Sequence, residues 1–390
     1  MLKLLSLLAA MLMLCTPALC EDDEELSLSD ILQNANPGVV DSTLTNTPTP
    51  VPEPNGEPTP TPTPETVAYE PDGSLVLTVS AIGNIAIGYD DRSDDSLFSD
   101  ELIEHGGNYG FFLENVSSIL LEDDVTIGAF TGTLTNSTYL PSTLSDDEPI
   151  YRLPPSAAQT LLRGGIEAVA LDNSHAYAHG NEGFADTQDA LRDAGVVAST
   201  RAVRGVIPVK GTSICLLSYQ VTNPESANVY ERLQADITAA SREFPAVIVS
   251  LHWGDERAYV PSEAQVRLAH FAVDQGATLV LGHHPDHIQP IELYNGAYIC
   301  YSLGNFVDSS TAQPNDMTSF IVQVKLRIRD GKATSDALRI IPIRISSRTE
   351  RNTLVPTPLT HVTALDSIVA MLLENGKSLP HALTRYPLSW

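Results

Sequence analysis

Twice in this chain a Pro-Ser pair opens an amphipathic helical pattern, a glycine closes it, and an apolar strand pattern follows at once. The first copy is PSAAQTLLRGGIEAVALDNSH (residues 155–175) and the second is PSEAQVRLAHFAVDQGATLVLGHH (residues 261–284). In each copy a serine and a glutamine three residues on, Ser156 with Gln159 and Ser262 with Gln265, have the spacing of a capping box that satisfies the free N–H groups of a first helical turn. Gly164-Gly165 and Gly276 supply the stops. SLVLTVSAIG (74–83), ALRDAGVVAS (190–199) and FPAVIVSLHWG (244–254) add further strand and helix-stop signals in the same alternation. Helices alternating with continuous apolar strands predict an α/β layered fold around a largely buried sheet.

Four of these strands end in residues that ligate metals or move protons. They are Gly83-Asn84, DNSH (172–175), HWGDE (252–256) and GHHPDH (282–287). Ligands of open α/β sheets bind in the crevice beyond the carboxyl ends of the strands, so the convergence predicts a site there. His175, His179, His252, His283, His284 and His287 fall in or beside these ends, whereas His105, His270, His361 and His381 read as structural.

The flanks set the context. Residues 1–20 have one early lysine, an apolar core and small residues before EDDEE, the layout of a cleaved secretory signal peptide. Their apolar run is shorter than the ~20 residues a spanning helix needs. Residues 21–73 are acidic and then rich in Thr-Pro repeats, a composition that cannot bury a core and reads as a disordered linker. The folded domain is expected over 74–346, and VTALDSIVAMLLENG (362–376) predicts one helix in a C-terminal extension over 347–390. Past the leader, Cys215 and Cys300 sit in apolar stretches, as a disulfide or as two buried thiols. The formal charge of −27 excludes a nucleic-acid partner, whose phosphates demand Lys and Arg.

Strand ends bearing Asn, Asn-x-His, His and His-His suit metal-assisted hydrolysis. In order and spacing, SAIGNIAIG, AVALDNSHAYAHGNEGF and the block from VIVSLHWG through LVLGHHPDH to YSLGNFV resemble the bacterial capsule-synthesis family (CapA-type, poly-gamma-glutamate), within the calcineurin-like metallophosphatase superfamily. The resemblance spans about residues 75–345. It implies a four-layer α/β/β/α sandwich in an exported protein at the cell envelope. The implied partners are a cell-envelope or capsular polymer and membrane proteins of the capsule apparatus.

Carried over by position, the resemblance makes Asn84, His252, His283, His284 and Asp286 metal ligands and His175 a general acid, with Asn173, Trp253, Glu256 and Asn305 around the substrate. Several positions depart from the family pattern. Asn84 stands where the first strand should end in Asp, Thr131 where a carboxylate is expected, Ser174 for the second Asn, Ala178 for an Asp, and Asp286 for the last His. Two divalent ions ~3.7 Å apart repel by ~18 kcal/mol at an effective dielectric of ~20, so a pair of ions without bridging carboxylates is disfavoured. One divalent ion (Mn, Zn or Fe) is therefore expected rather than two. The residue-level alternatives stay open: Asn84 as ligand or turn residue, His175 as acid or loop residue, Trp253 stacked on a sugar or packed under its loop, Asn305 as a site residue or part of a strand-end bend, and Glu256 as substrate contact or solvated charge. At the level of function the alternatives are a metal-dependent hydrolase or transferase, and a non-catalytic pseudoenzyme binding anionic polymer or a capsule-apparatus partner.

Overall fold

A computed structural model describes residues 67–390, apart from 94–95, 143 and 146–147. The leader and most of the linker expected from the sequence lie outside the described residues. In chain order the strands are β1 Leu75–Ala86, β2 Val125–Phe130, β3 Thr133–Leu134, β4 Arg152–Leu153, β5 Ala168–Ala170, β6 Val197–Ser199, β7 Gly205–Val209, β8 Thr212–Val221, β9 Val247–Trp253, β10 Leu279–His283, β11 Ile291–Tyr294, β12 Ala297–Cys300, β13 Asn305–Asp308, β14 Thr318–Arg329, β15 Lys332–Arg344 and β16 Thr357–Pro358.

They form two large sheets. The first has the order β16-β15-β14-β1-β2-β5-β6, with β13 paired to β1, and the second has the order β11-β12-β10-β9-β8-β7. The centre of each sheet is parallel: β1, β2, β5 and β6 in one, β8, β9, β10 and β12 in the other. All their carboxyl ends therefore emerge along one edge of each sheet.

Three apolar clusters define the layers. Leu77, Val79, Ile127 and Val322 of the first sheet meet Leu216, Ile248, Leu279 and Leu281 of the second in one core. On the outer face of the first sheet, Ile82, Ile85 and Val169 pack under Phe98, Leu102, Leu161 and Leu191 from the helices Leu97–Glu104, Ala158–Arg163 and Gly180–Ala194. On the outer face of the second, Val249, Leu251 and Val280 pack under the helices Ala227–Glu243 and Glu263–Asp274. This is the expected α/β/β/α sandwich. Period-two alternation puts one set of apolar residues in the central core and the other under the helices, which is why these strands read as continuous apolar runs.

The two repeated sequence units fold differently at their starts. Ser262 caps Glu263–Asp274 with the full capping box. Ser156 does not cap its helix, because Pro155–Ala157 forms a 3-10 turn that feeds directly into Ala158–Arg163. Cys215 and Cys300 are free and buried. They lie on opposite faces of the second sheet, one under the helices and one in the central core, so the thiol alternative holds and no disulfide joins them.

Candidate functional site

Two glycines let the strand ends converge. A Cβ on Gly83 would strike the backbone carbonyl of Gly304, and one on Gly282 would strike the carbonyl of Tyr301 and the indole of Trp253. Only glycine permits that approach. Each immediately precedes a residue of interest, Asn84 on β1 and His283 on β10. In register Asn84 faces Asn305 of β13, and His283 faces His252 of β9.

The strand ends open into one cleft of about 920 Å³. Of the residues singled out from sequence, Asn84, His175, His252, Glu256, His284, Asp286, His287 and Asn305 line it, together with Thr131 and Ser174. Asn84 is buried, and its Nδ2 donates to Asn305 Oδ1 at 2.9 Å and to Asp286 Oδ1 at 3.3 Å. Its Oδ1 has no partner. His252 Nε2 lies 3.2 Å from Ser174 Oγ, and its buried Nδ1 also has no partner. The His252 and His284 rings sit 4.7 Å apart. The loop after β10 twists sharply: His284 has φ 96° and Asp286 φ 63°, left-handed values uncommon for non-glycine residues and concentrated at functional loops. Asp286 is held there by its carbonyl, which accepts from Asn305 N at 3.0 Å.

Burial sets the electrostatics. It depresses the basicity of His175, His252 and His284, so all three imidazoles are neutral near neutral pH. Burial, then the charges of Asp308 and Glu256, push the Asp286 carboxyl up to about 7. The cleft nevertheless carries six carboxylates, Asp90, Glu148, Glu256, Asp286, Asp308 and Asp316, against Arg92 and Arg257.

Three expected site residues stand elsewhere. Trp253 is 1% exposed and donates its Nε1–H to Tyr301 O at 3.0 Å, so it packs beneath the loop and stacks on no sugar. Asn173 bridges Phe130 O (2.8 Å) and the N–H of His175 (3.1 Å), spending its amide on loop geometry. His283 is buried next to His252, with both ring nitrogens unpartnered, and does not line the cleft. His175, expected as a general acid, lines the cleft, with its Nδ1 3.1 Å from Pro149 O and its basicity lowered by burial.

Sequence reasoning missed Tyr151 and Asp308. The Tyr151 hydroxyl donates to Asp308 Oδ1 at 3.1 Å, and Ser310 N donates to the same oxygen at 2.9 Å. Asp308 closes the strand NFVD just after Asn305, a signal that was available. Tyr151 lies in a segment with no motif.

The expected ligand set does not assemble as a metal centre. No group of three or more His, Cys, Asp or Glu among the described residues could hold an ion. The physical reasons are visible: an amide occupies the bridging position and donates to Asp286, His283 turns under the cleft, and Thr131 and Ser174 bring hydroxyls where stronger donors are expected.

The family described as "Bacterial capsule synthesis protein PGA_cap" matches residues 78–310. The chain is 26% identical over 328 residues to "PGA biosynthesis protein CapA" of Bacillus subtilis (strain 168), covering 77% of this chain and 81% of that protein. It is 41% identical over 100 residues to "Capsule biosynthesis protein CapA" of Bacillus anthracis, 25% of this chain and 23% of that one. Among solved structures, the calcineurin-like phosphoesterase YfkN from Bacillus subtilis is similar at 13% identity and TM-score 0.38, covering 78% of this chain and 100% of that one.

Proposed function

The chain belongs to the bacterial capsule synthesis protein family, and from that premise we propose that it is an exported accessory protein in the biosynthesis or anchoring of a capsular polymer, with a strand-end cleft that binds and does not hydrolyse. The leader-like pattern of residues 1–20 and the Thr-Pro spacer support a place outside the cytoplasm, beside membrane proteins of the capsule apparatus. The observation that carries the binding role is the Asn84 amide, wedged between Asp286 and Asn305 where a metal bridge would need a carboxylate.

What remains is a hydrogen-bonding cleft. Asn84 Oδ1 and His252 Nδ1 are buried, unpartnered polar atoms, which a ligand would satisfy at a net gain over leaving them orphaned. The surplus of carboxylates sets which end of a ligand enters. It repels an extended polyanion and favours a neutral or cationic group, such as an amide or an amino terminus.

Complementation tests the reading. In a producing bacterium lacking this chain, cell-associated capsular polymer should fall, and the wild-type chain should restore it. The purified chain should release neither phosphate nor cleaved polymer. No effect of removing the chain would end the capsule reading, while turnover by the purified wild-type chain that is lost in a folded His175→Ala protein would overturn the non-hydrolytic role.

A further inference from the structure

A protein of formal charge −27 with an acidic cleft is a poor surface for a polycarboxylate. One region departs from that. A groove of about 840 Å³ is lined by Lys325, Arg327, Arg385 and Trp390, with Glu70 and Asp336 as its acidic side chains. Arg327 is paired with Asp336 at 2.8 Å. Among the described residues no carboxylate stands within ion-pair distance of Lys325, Arg339 or Arg385. Trp390 is 46% exposed and rests on two of these cations, Lys325 Nζ at 4.3 Å and Arg339 Cζ at 4.9 Å from its ring centroid. The groove is remote from the cleft. Lys325 faces Thr78 in register, six residues before Asn84 on β1, which is ~20 Å along the strand.

We propose that this groove holds the polycarboxylate chain of the capsule, its carboxylates on Lys325 and Arg385 and its methylene groups on the Trp390 ring, which Arg339, bonded through Nε to Gln323 Oε1 at 2.7 Å, supports from beneath. The inference rests on the capsule reading above and adds where the polymer is held. Screening limits the repulsion of the distant acidic surface to about 8–10 Å at physiological salt, so the local cations decide. The separation from the cleft makes the groove a retention surface for the chain rather than a subsite for its end.

The test titrates soluble poly-γ-glutamate into the full chain at about 0.15 M salt, where the screening argument holds, and follows tryptophan fluorescence. Of the two tryptophans, Trp253 is buried, so a change on binding reports Trp390 and should vanish in Trp390→Phe. Lys325→Glu with Arg385→Glu should weaken binding by ~10-fold or more, whereas Lys325→Arg with Arg385→Lys should retain it. Arg192→Glu with Arg267→Glu, the same charge change on exposed helices, should weaken it less than twofold. Equal weakening by both charge-reversal pairs, a signal indifferent to Trp390→Phe, or no binding by the full chain would each overturn the groove. Any of these beside intact complementation moves the polymer contact elsewhere and leaves the capsule reading standing; failure of that reading shows instead as no effect of removing the chain.

Discussion

Replacing the Asn84 amide by a carboxylate is the smallest change that separates a binding cleft from a metal centre. Asn84→Asp puts a second carboxylate about 3.3 Å from Asp286, with the Asn84 N–H donor gone. Without metal the variant should lose ~1–3 kcal/mol of stability to like-charge repulsion in a buried site. Millimolar Mn²⁺ should raise its melting temperature, by binding the folded state alone, and leave the wild type unmoved. Equal stabilisation of both proteins would show that Asn84 is no obstacle to metal. Which neighbour enters the cleft was only partly legible. His252 and Trp253 are adjacent, and so are His283 and His284, but strand alternation sends adjacent side chains to opposite faces until the strand ends. The left-handed turn at His284 that ends β10 is not written in any pattern.

Asp123 offers a pH test away from the site. It accepts from Thr126 Oγ1 at 2.8 Å, yet burial, with Glu167 and Asp124 adding charge, pushes its carboxyl from 3.8 up to about 7. A carboxyl raised on folding binds more protons in the folded than in the unfolded state, so stability falls as pH rises from about 4 to about 7 and the penalty is complete above. Asp123→Asn should therefore be more stable than wild type by ~1–2 kcal/mol at pH 8 and close to parity at pH 4. Denaturant midpoints at the two pH values check it; a difference that did not shrink in acid would rule out this origin.

At the scale of elements, the two repeated helix-strand units give a controlled comparison. Ser262→Ala removes a working cap and should cost ~1 kcal/mol, while Ser156→Ala should cost under ~0.3 kcal/mol because its helix is entered through a 3-10 turn. Thermal denaturation of both variants reads the contrast, and equal losses would contradict the cap assignment. The alternation of helices and apolar strands was legible because each signal is local: cap, glycine stop, apolar run. The layering of two sheets came from the family resemblance, since nothing local says which strands share a sheet. The antiparallel pair β14 and β15, long and carrying alternate charged residues, was not read at all, for its outer-face charges break the apolar run that marks the central strands.

Across the whole molecule, the C-terminal segment joins the two sheets on the side away from β6 and β7. Leu293 N donates to His381 O and Leu383 N to Ile291 O, so the segment lies along β11 of the second sheet. A few residues later Ile340 N donates to Pro387 O at 2.8 Å, on β15 of the first. Between these points Tyr386 is buried in the central core, where its hydroxyl accepts from Ile291 N at 3.0 Å. No periodicity marks such a segment, because it is neither helix nor regular strand, and its apolar residues are spaced by the gap it crosses. Removing residues 381–390 would uncover two strand edges and the core between them, and should cost ~3–5 kcal/mol and promote association through the exposed edges. Tyr386→Phe should cost only ~1 kcal/mol, since the ring stays and one hydrogen bond goes. Denaturant unfolding with light scattering separates the two cases. A truncated chain that unfolds at the wild-type midpoint would mean that the sheets are held by their shared core alone and that the groove beside Trp390 is built on a dispensable tail.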